Sequence, residues 1–351
     1  MTTQKKSQRR SHIGHLFNRL TSPLWFIPLC LLIACDSGTK ELLDIAIDEP
    51  ERKEIDVTRM GVNSFFVNPG FGSIQQQYSD IHENMGLNYV RVLFAWTNGS
   101  QPTPNSEVNY GLFDNILSAI PAGTDVLVVV AHTPDWMSNP ANWTGGNPRA
   151  TWVEKWLSPV VNRYKNTPGI VGWEIWNEPD NTVVASDAAL GLEDPANYFE
   201  LLSLGSNLVR RINPGRLVVP AATTAINQNY PENLNYNKRL VEFGALDLVD
   251  VWNVHYYGKQ FENVVRNDGV EDFLEPLPRP IWITESGARG VNNQLAYCEQ
   301  VWPFLREEIP NVDRIYYYEY SSSEASDVTY GLRNLDPAFP VSDLYISLKN
   351  R

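Results

Sequence analysis

Apolar positions along this chain fall into two alternating patterns. Short runs rich in β-branched and aromatic residues, eight to ten long, are separated by longer segments whose apolar positions recur every three to four residues. The short runs are MGVNSFFV from Met60, LNYVRVLFAW from Leu87, DVLVVVAHT from Asp125, IVGWEIWNE from Ile170, RLVVPAATT from Arg216, LVDVWNVHYY from Leu248, PIWITESG from Pro280 and DRIYYYEYS from Asp313. Between them lie helical patterns such as SIQQQYSDIHENMG, TWVEKWLSPVVNRYKN, PANYFELLSLGSNLVRRINP and NQLAYCEQVWPFLREEI. The strand runs lack polar alternation, as expected of parallel strands covered on both faces. Eight β-then-α units predict a (β/α)8 barrel, a TIM barrel, in one catalytic domain over 59–351. A doubly wound open sheet is the competing arrangement. It would carry a glycine-rich phosphate loop after its first strand, and NPGFGSI at Asn68 lacks the third glycine, so it reads as a turn.

The barrel reading gives the polar residues a place. Active sites of such barrels sit at the C-terminal strand ends. Arg91 lies on strand 2, and strand 3 runs into His132 and Trp136. Strand 4 ends in Trp176, Asn177 and Glu178, strand 6 in Asn253, His255 and Tyr257, and strand 7 in Glu285. Each alone reads equally as a cap, a turn residue or a satisfied core group. Together on one rim they point to chemistry. Strands 4 and 7 face each other, so Glu178 and Glu285 can converge over the mouth. Two carboxyls about 5–5.5 Å apart are the arrangement of a retaining glycosidase, one giving a proton and the other attacking the anomeric carbon. Arg91 and the Tyr257 phenol can hold Glu285 ionised, Asn177 can bind a sugar hydroxyl, and His255 can orient one of these groups. Trp96, Trp136, Trp143 and Trp176 are candidates for stacking on sugar faces. Glu174, farther inside strand 4, is expected as a buried partner of Arg91 or another rim residue. No His pair or cysteine set has metal-ligand spacing, so neither a metal nor an organic cofactor is expected.

These motifs resemble the retaining glycoside hydrolases of clan A: WNEP at the end of strand 4, ITESG at the end of strand 7, HYY on strand 6 and the arginine of YVRV on strand 2. The resemblance spans about residues 58–350. TPDW after strand 3 and WEIWNEPD look most like family 39, with family 5 close behind. It implies Glu178 as acid/base, Glu285 as nucleophile, Asn177 as hydroxyl ligand, and Arg91, His255 and Tyr257 as their support. One departure stands out. Many family 5 enzymes carry a tryptophan platform on strand 8, where this chain has Tyr316 to Tyr318 and Glu319. The implied action is hydrolysis of a polysaccharide or oligosaccharide, with internal cleavage of an exopolysaccharide or β-glycan favoured by analogy. A transglycosylase with the same site, and a carbohydrate-binding barrel without catalysis, are the alternatives.

Composition and charge add location. The first 34 residues carry five Lys or Arg and no acid, and end in the apolar PLWFIPLCLLIA. That is a signal peptide pattern, too short for a comfortable membrane span. LIAC, Leu32 to Cys35, resembles a bacterial lipobox, which implies lipid on Cys35, a tether over 35–58 and a place in the bacterial cell envelope. The chain carries −13 overall, which leaves −18 beyond the signal. So acidic a body repels nucleic acid and favours a neutral glycan partner. Cys298 is left alone in an apolar helical pattern and is expected in the core.

Overall fold

The computed structural model describes residues 49–181 and 185–351. The expected signal peptide and Cys35 lie outside these residues. No helix among the described residues is long and apolar enough to cross a membrane.

Eight parallel strands form the wall of a nearly closed barrel: β1 (Met60–Asn63), β2 (Tyr89–Ala95), β3 (Asp125–Ala131), β4 (Ile170–Ile175), β5 (Leu217–Pro220), β6 (Trp252–His255), β7 (Ile281–Ser286) and β8 (Val312–Tyr317). Their order is β5-β4-β3-β2-β1-β8-β7-β6, so β1 pairs with both β2 and β8. That order is a TIM barrel and excludes the open doubly wound sheet. The wall closes between β5 and β6 without a strand ladder. Asp250 stitches the seam, its N–H donating to the Val218 carbonyl (3.0 Å) and its carboxylate accepting from the Val218 N–H (2.7 Å).

The helices are α1 (Ile74–Ser79), α2 (Gly111–Ser118), α3 (Pro148–Trp152), α4 (Ser158–Tyr164), α5 (Pro195–Ile212), α6 (Glu232–Glu242), α7 (Glu262–Val265), α8 (Val270–Leu274), α9 (Gln294–Glu308) and α10 (Asp343–Lys349). Local chemistry starts them where the sequence says it should. Ser73 and Gln76 form a reciprocal capping box on α1, and Asp194 caps α5 ahead of Pro195. The buried stripe of α5 is Tyr198, Leu201, Leu202, Gly205, Leu208 and Val209, at helical spacing. A Cβ on Gly205 would lie 2.9 Å from Ile175, so glycine lets this helix close on β4. NPGFGSI is a turn, with Asn68 accepting from the Gly70 N–H.

The segment read as tether ends sooner than expected. The Lys53 N–H donates to the Glu299 carbonyl on α9 (2.8 Å), and Arg52 and Lys53 pair with Glu299 and Glu307. Ile55 is buried. Residues 49–58 are therefore strapped along α9 as part of the folded body.

Two apolar layers surround the strands. The larger lies between strands and helices and contains Cys298. The smaller fills the barrel floor with Leu127, Val219, Val251, Trp282 and Tyr316. The Tyr316 ring sits where a Gly61 side chain would be, 2.4 Å from that Cβ position. Above this floor the interior turns polar: Asn63, Arg91, Glu174, Asn253 and Thr284 are all buried.

Candidate active site

Arg91 organises the polar layer. Its Nε and Nη2 grip both oxygens of Glu174 (2.7 and 2.8 Å). Nη1 donates to Glu285 Oε1 (2.7 Å) and Asn63 Oδ1 (2.9 Å), and Nη2 to Asn177 Oδ1 (2.6 Å). That uses all five guanidinium donors. Burial works against the charge, but Glu174 and Glu285 outweigh it and raise the Arg91 pKa further. Glu174, fully buried, also accepts from Asn253 Nδ2 (3.0 Å). It is thus the buried partner of Arg91 rather than a rim residue. Asn177 turns its Oδ1 to Arg91, which leaves its amide N–H groups to serve as donors.

Glu285 reaches this layer through an irregularity. Trp282 belongs to the barrel floor and Thr284 donates to Asn253, so both face inward, while Ile281 and Ile283 pack outward. Alternation would send Glu285 outward. The register of β7 shifts against β6 and again against β8 at this point. The bulge re-aims Glu285 into the mouth, as bulges commonly do beside sites. There the Tyr257 hydroxyl donates to its Oε2 (3.0 Å).

Glu178 arrives by a second departure. Trp176 and Glu178 both have positive φ (79° and 45°), rare for non-glycine residues and costing of order 1–3 kcal/mol each. Bonds at 2.9 Å hold the turn: Trp176 N–H to Val130 O, Glu178 N–H to Ala222 O and Asn181 N–H to Glu178 O. The carboxylate accepts from His255 Nδ1 (3.1 Å) and Asn181 Nδ2 (3.0 Å). Fully buried, His255 bridges the two glutamates, its Nε2 standing 3.7 Å from Glu285 Oε1.

Burial alone would raise the Glu178 pKa. The hydrogen bond and charge of His255, with help from Asn181 and Arg91, reverse this and hold it below the ordinary value. Burial also works against a charged His255, but the Glu285 charge and the Glu178 hydrogen bond and charge raise its pKa. The proton of this pair therefore sits on the imidazole side of the bond. Glu178, His255 and Glu285 each bring one ligand atom within 4.8 Å of the others, a spacing that could hold a metal ion. The Arg91 guanidinium, already 2.7 Å from Glu285, opposes a second cation there.

The remaining expected residues divide. Trp176 is corrected: it is 3% exposed, because its positive φ turns the indole into the helix layer, edge-on to Trp152 (5.5 Å). It offers no open sugar wall. Trp96 is fully buried as well. Trp136 is half-buried, with its indole N–H on the Gln101 carbonyl (2.9 Å), Trp96 edge-on and Lys155 over its ring. Trp143, also half-buried, donates to the Met137 carbonyl (2.7 Å). His132 pairs with Asp187 (2.8 Å), tying two loops. Nothing in the structure brings these three onto the glutamates.

Other residues join the site, Asn63 without having been expected, Tyr318 and Glu319 from the strand 8 run noted above. Asn63 receives Arg91 and donates to the Thr284 carbonyl (2.8 Å). Its signal was an amide inside an apolar strand. Tyr318, at the end of β8, lies edge-on to Tyr257 (6.3 Å) and Tyr330 (5.8 Å), and is the ring that β8 supplies at the mouth. Glu319 follows it. Burial, with the charges of Glu324 and Glu285, pushes its pKa up to about 8. A cleft of about 620 Å³ opens from Glu178 and Tyr257 along the loops after β5, β6 and β7, lined also by Gln228, Lys259, Arg289 and Tyr330.

Comparison with known proteins gives the family and agrees with the fold. The sequence model of the family described as cellulase, glycosyl hydrolase family 5, matches residues 50–318. A family 39 glycoside hydrolase from Bacteroides cellulosilyticus WH2 is similar in fold at 18% identity (TM-score 0.60), the match covering 87% of this chain and 64% of that one. A monomeric beta-xylosidase from Caulobacter crescentus CB15 gives 19% identity and TM-score 0.60, covering 86% of this chain and 69% of that chain. A hyperthermostable endocellulase gives 17% and 0.56, covering 83% of this chain and 91% of that chain. The chain thus spans 64% of the length of the first of these structures.

Proposed function

The chain belongs to glycosyl hydrolase family 5, and from that premise we propose that it is a retaining glycosidase working by double displacement through Glu285 and Glu178. The observation that carries the reading is the approach of the two carboxylates, oxygen to oxygen within 4.8 Å. Oxygens this close favour the retaining arrangement, with carboxyl groups about 5–5.5 Å apart, over the inverting one at about 6.5–9.5 Å.

Glu285, fixed by Arg91 and Tyr257, attacks the anomeric carbon. Glu178 gives its proton to the leaving oxygen, then takes one from the water that releases the sugar. The His255–Glu178 bond refines this division. Before substrate binds, the proton rests on Nδ1, 3.1 Å from Glu178 Oε1. Transfer along that bond makes Glu178 the acid for the first step. Ionised once it has given that proton up, it is the base in the second. Asn177 offers its amide to the hydroxyl beside the reacting carbon. The polymer is a polysaccharide or oligosaccharide, with internal cleavage of a β-glycan or exopolysaccharide favoured by family likeness. The basic and apolar signal pattern ending at Cys35 supports a lipid anchor in the bacterial envelope; a Cys35→Ser variant should be released from the membrane fraction, and one that stays there would refute the anchor.

The test is a glycan panel with anomer-resolved NMR of the first product. Retention of configuration is expected, with Glu285→Gln inactive. Glu178→Gln should lose about 10²–10⁴-fold on natural leaving groups but keep the first step on activated aryl glycosides, which need no acid. An inverted first product, or a Glu285→Gln enzyme as active as the parent, would sink the mechanism. Products extended in the presence of added acceptor would move the assignment to transglycosylation.

A further inference from the structure

Among the described residues, Arg289 is a cation without an acid. The chain carries 41 Asp and Glu against 28 Lys and Arg, and acids are within reach of most of its arginines. Arg52, Arg59, Arg91, Arg149, Arg163, Arg210, Arg239, Arg333 and Arg351 all form ion pairs; Arg289, like Arg211, Arg216, Arg279, Arg306 and Arg314, forms none, and of these six it is the one in the cleft. It also lines the cleft that contains Glu178. Its guanidinium lies 5.5 Å from the Tyr330 ring centre, and Tyr330 stands edge-on to Tyr257 (5.6 Å), the phenol on Glu285. Arg289 is therefore two rings from the nucleophile.

The loop that carries it is fixed. The Gly290 N–H donates to Thr329 O (2.8 Å), the Val291 N–H to Ser326 O (3.0 Å), and Asn293 Nδ2 to the Arg289 carbonyl (3.1 Å). Gly287 lets this loop close on β8: a Cβ there would meet the Tyr318 carbonyl at 2.6 Å. So the backbone beneath the guanidinium is already ordered before any ligand arrives. The neighbouring loop after β6 adds Lys259, whose partner Glu49 is itself exposed. An acidic protein that places two cations in the lining of its catalytic cleft, and sets the unpaired one over an aromatic ring, has built a place for an anion. Planar, forked donors over a ring match a sugar carboxylate resting on that ring.

We propose that Arg289, Tyr330 and Lys259 form a subsite for a carboxylate-bearing sugar, so that the substrate is a β-glycan containing uronic acid residues. This rests on the glycosidase reading above and departs from the neutral glycan expected from net charge, the local cations at this subsite countering the acidic surface.

The test uses matched ligands: a β-1,4-glucuronan hexamer and cellohexaose, the same backbone with and without the C6 carboxylate. Binding is measured by calorimetry on the intact Glu285→Gln enzyme. The glucuronan should bind roughly tenfold tighter or better, with a preference that fades as salt rises. Adding Arg289→Ala should bring the ratio towards one, and Arg289→Lys should keep part of it, with circular dichroism confirming that each variant is folded. Equal binding of the two hexamers, or a preference that survives Arg289→Ala, overturns the proposal. Hydrolysis by the parent enzyme against Glu285→Gln reports on the glycosidase reading separately. A carboxylate preference without hydrolysis would leave an acid-specific binding barrel.

Discussion

Replacing Arg91 by Met removes one side chain and five hydrogen bonds at once. The largest consequence falls on Glu174, fully buried and gripped at 2.7 and 2.8 Å. Left alone, that charge costs about 3–5 kcal/mol, a large share of the roughly 5–15 kcal/mol that holds a domain folded. Glu174→Leu strands the guanidinium and costs a similar amount. The double variant Arg91→Met with Glu174→Leu removes both charges. It should recover at least about 2 kcal/mol relative to the sum of the singles, the usual coupling of a buried pair. It should not recover activity, because Glu285 has lost the donor at 2.7 Å, an electrostatic loss of roughly a hundredfold or more. Urea unfolding followed by tryptophan fluorescence gives the stabilities, and kcat/KM on any glycan the parent cleaves gives the rest. Additive stabilities within about 0.5 kcal/mol, or a double variant with parental activity, would refute the view that Arg91 serves the core and the nucleophile through separate bonds.

Two further predictions concern protons. His255→Asn removes the imidazolium that holds Glu178 low, so burial should take over and the pH–rate limb set by Glu178 should move to higher pH; an unmoved limb would separate His255 from the acid/base. In the parent, the raised His255 pKa means its stabilising contribution is complete below pH 6.5 and lost as pH rises through the folded value. Glu319 acts in the same sense for another reason. Its folded pKa of about 8 exceeds its ordinary 4.5, so the folded protein holds an extra proton between those values and loses stability as pH rises across that window. Glu319→Gln should therefore raise Tm at pH 8 more than at pH 5, and an equal change at both would contradict the burial argument.

Much of the site was legible because barrel strands announce themselves. Continuous apolar runs gave eight strands, and polar residues at their ends gave Arg91, Asn177, Glu178, His255, Tyr257 and Glu285, which the structure gathers around one point. What misled was position at a strand end, which put Trp176 on the rim. Two positive φ values turn Trp176 away from the mouth and bring Glu178 towards it, and a bulge turns Glu285 in. Backbone irregularities of this kind leave no periodic trace in the sequence. Arg289 was invisible for a different reason. It sits on a loop, and its meaning comes from the acid it lacks, which only the fold can show.

The stitched seam between β5 and β6 has a kinetic consequence. Elsewhere around the wall, neighbouring strands share a ladder, whereas this joint leans on Asp250 and on the Ile226 N–H to His255 carbonyl bond (2.9 Å). On one side of it stands Ala222, whose carbonyl holds the Glu178 backbone, and on the other stands His255. Warming the protein loosens the least-tied joint first, and here that joint carries both halves of the proposed proton relay. Catalysis should fade some degrees before the barrel melts, so the enzyme's upper working temperature is set by one joint in its wall rather than by the strength of its core.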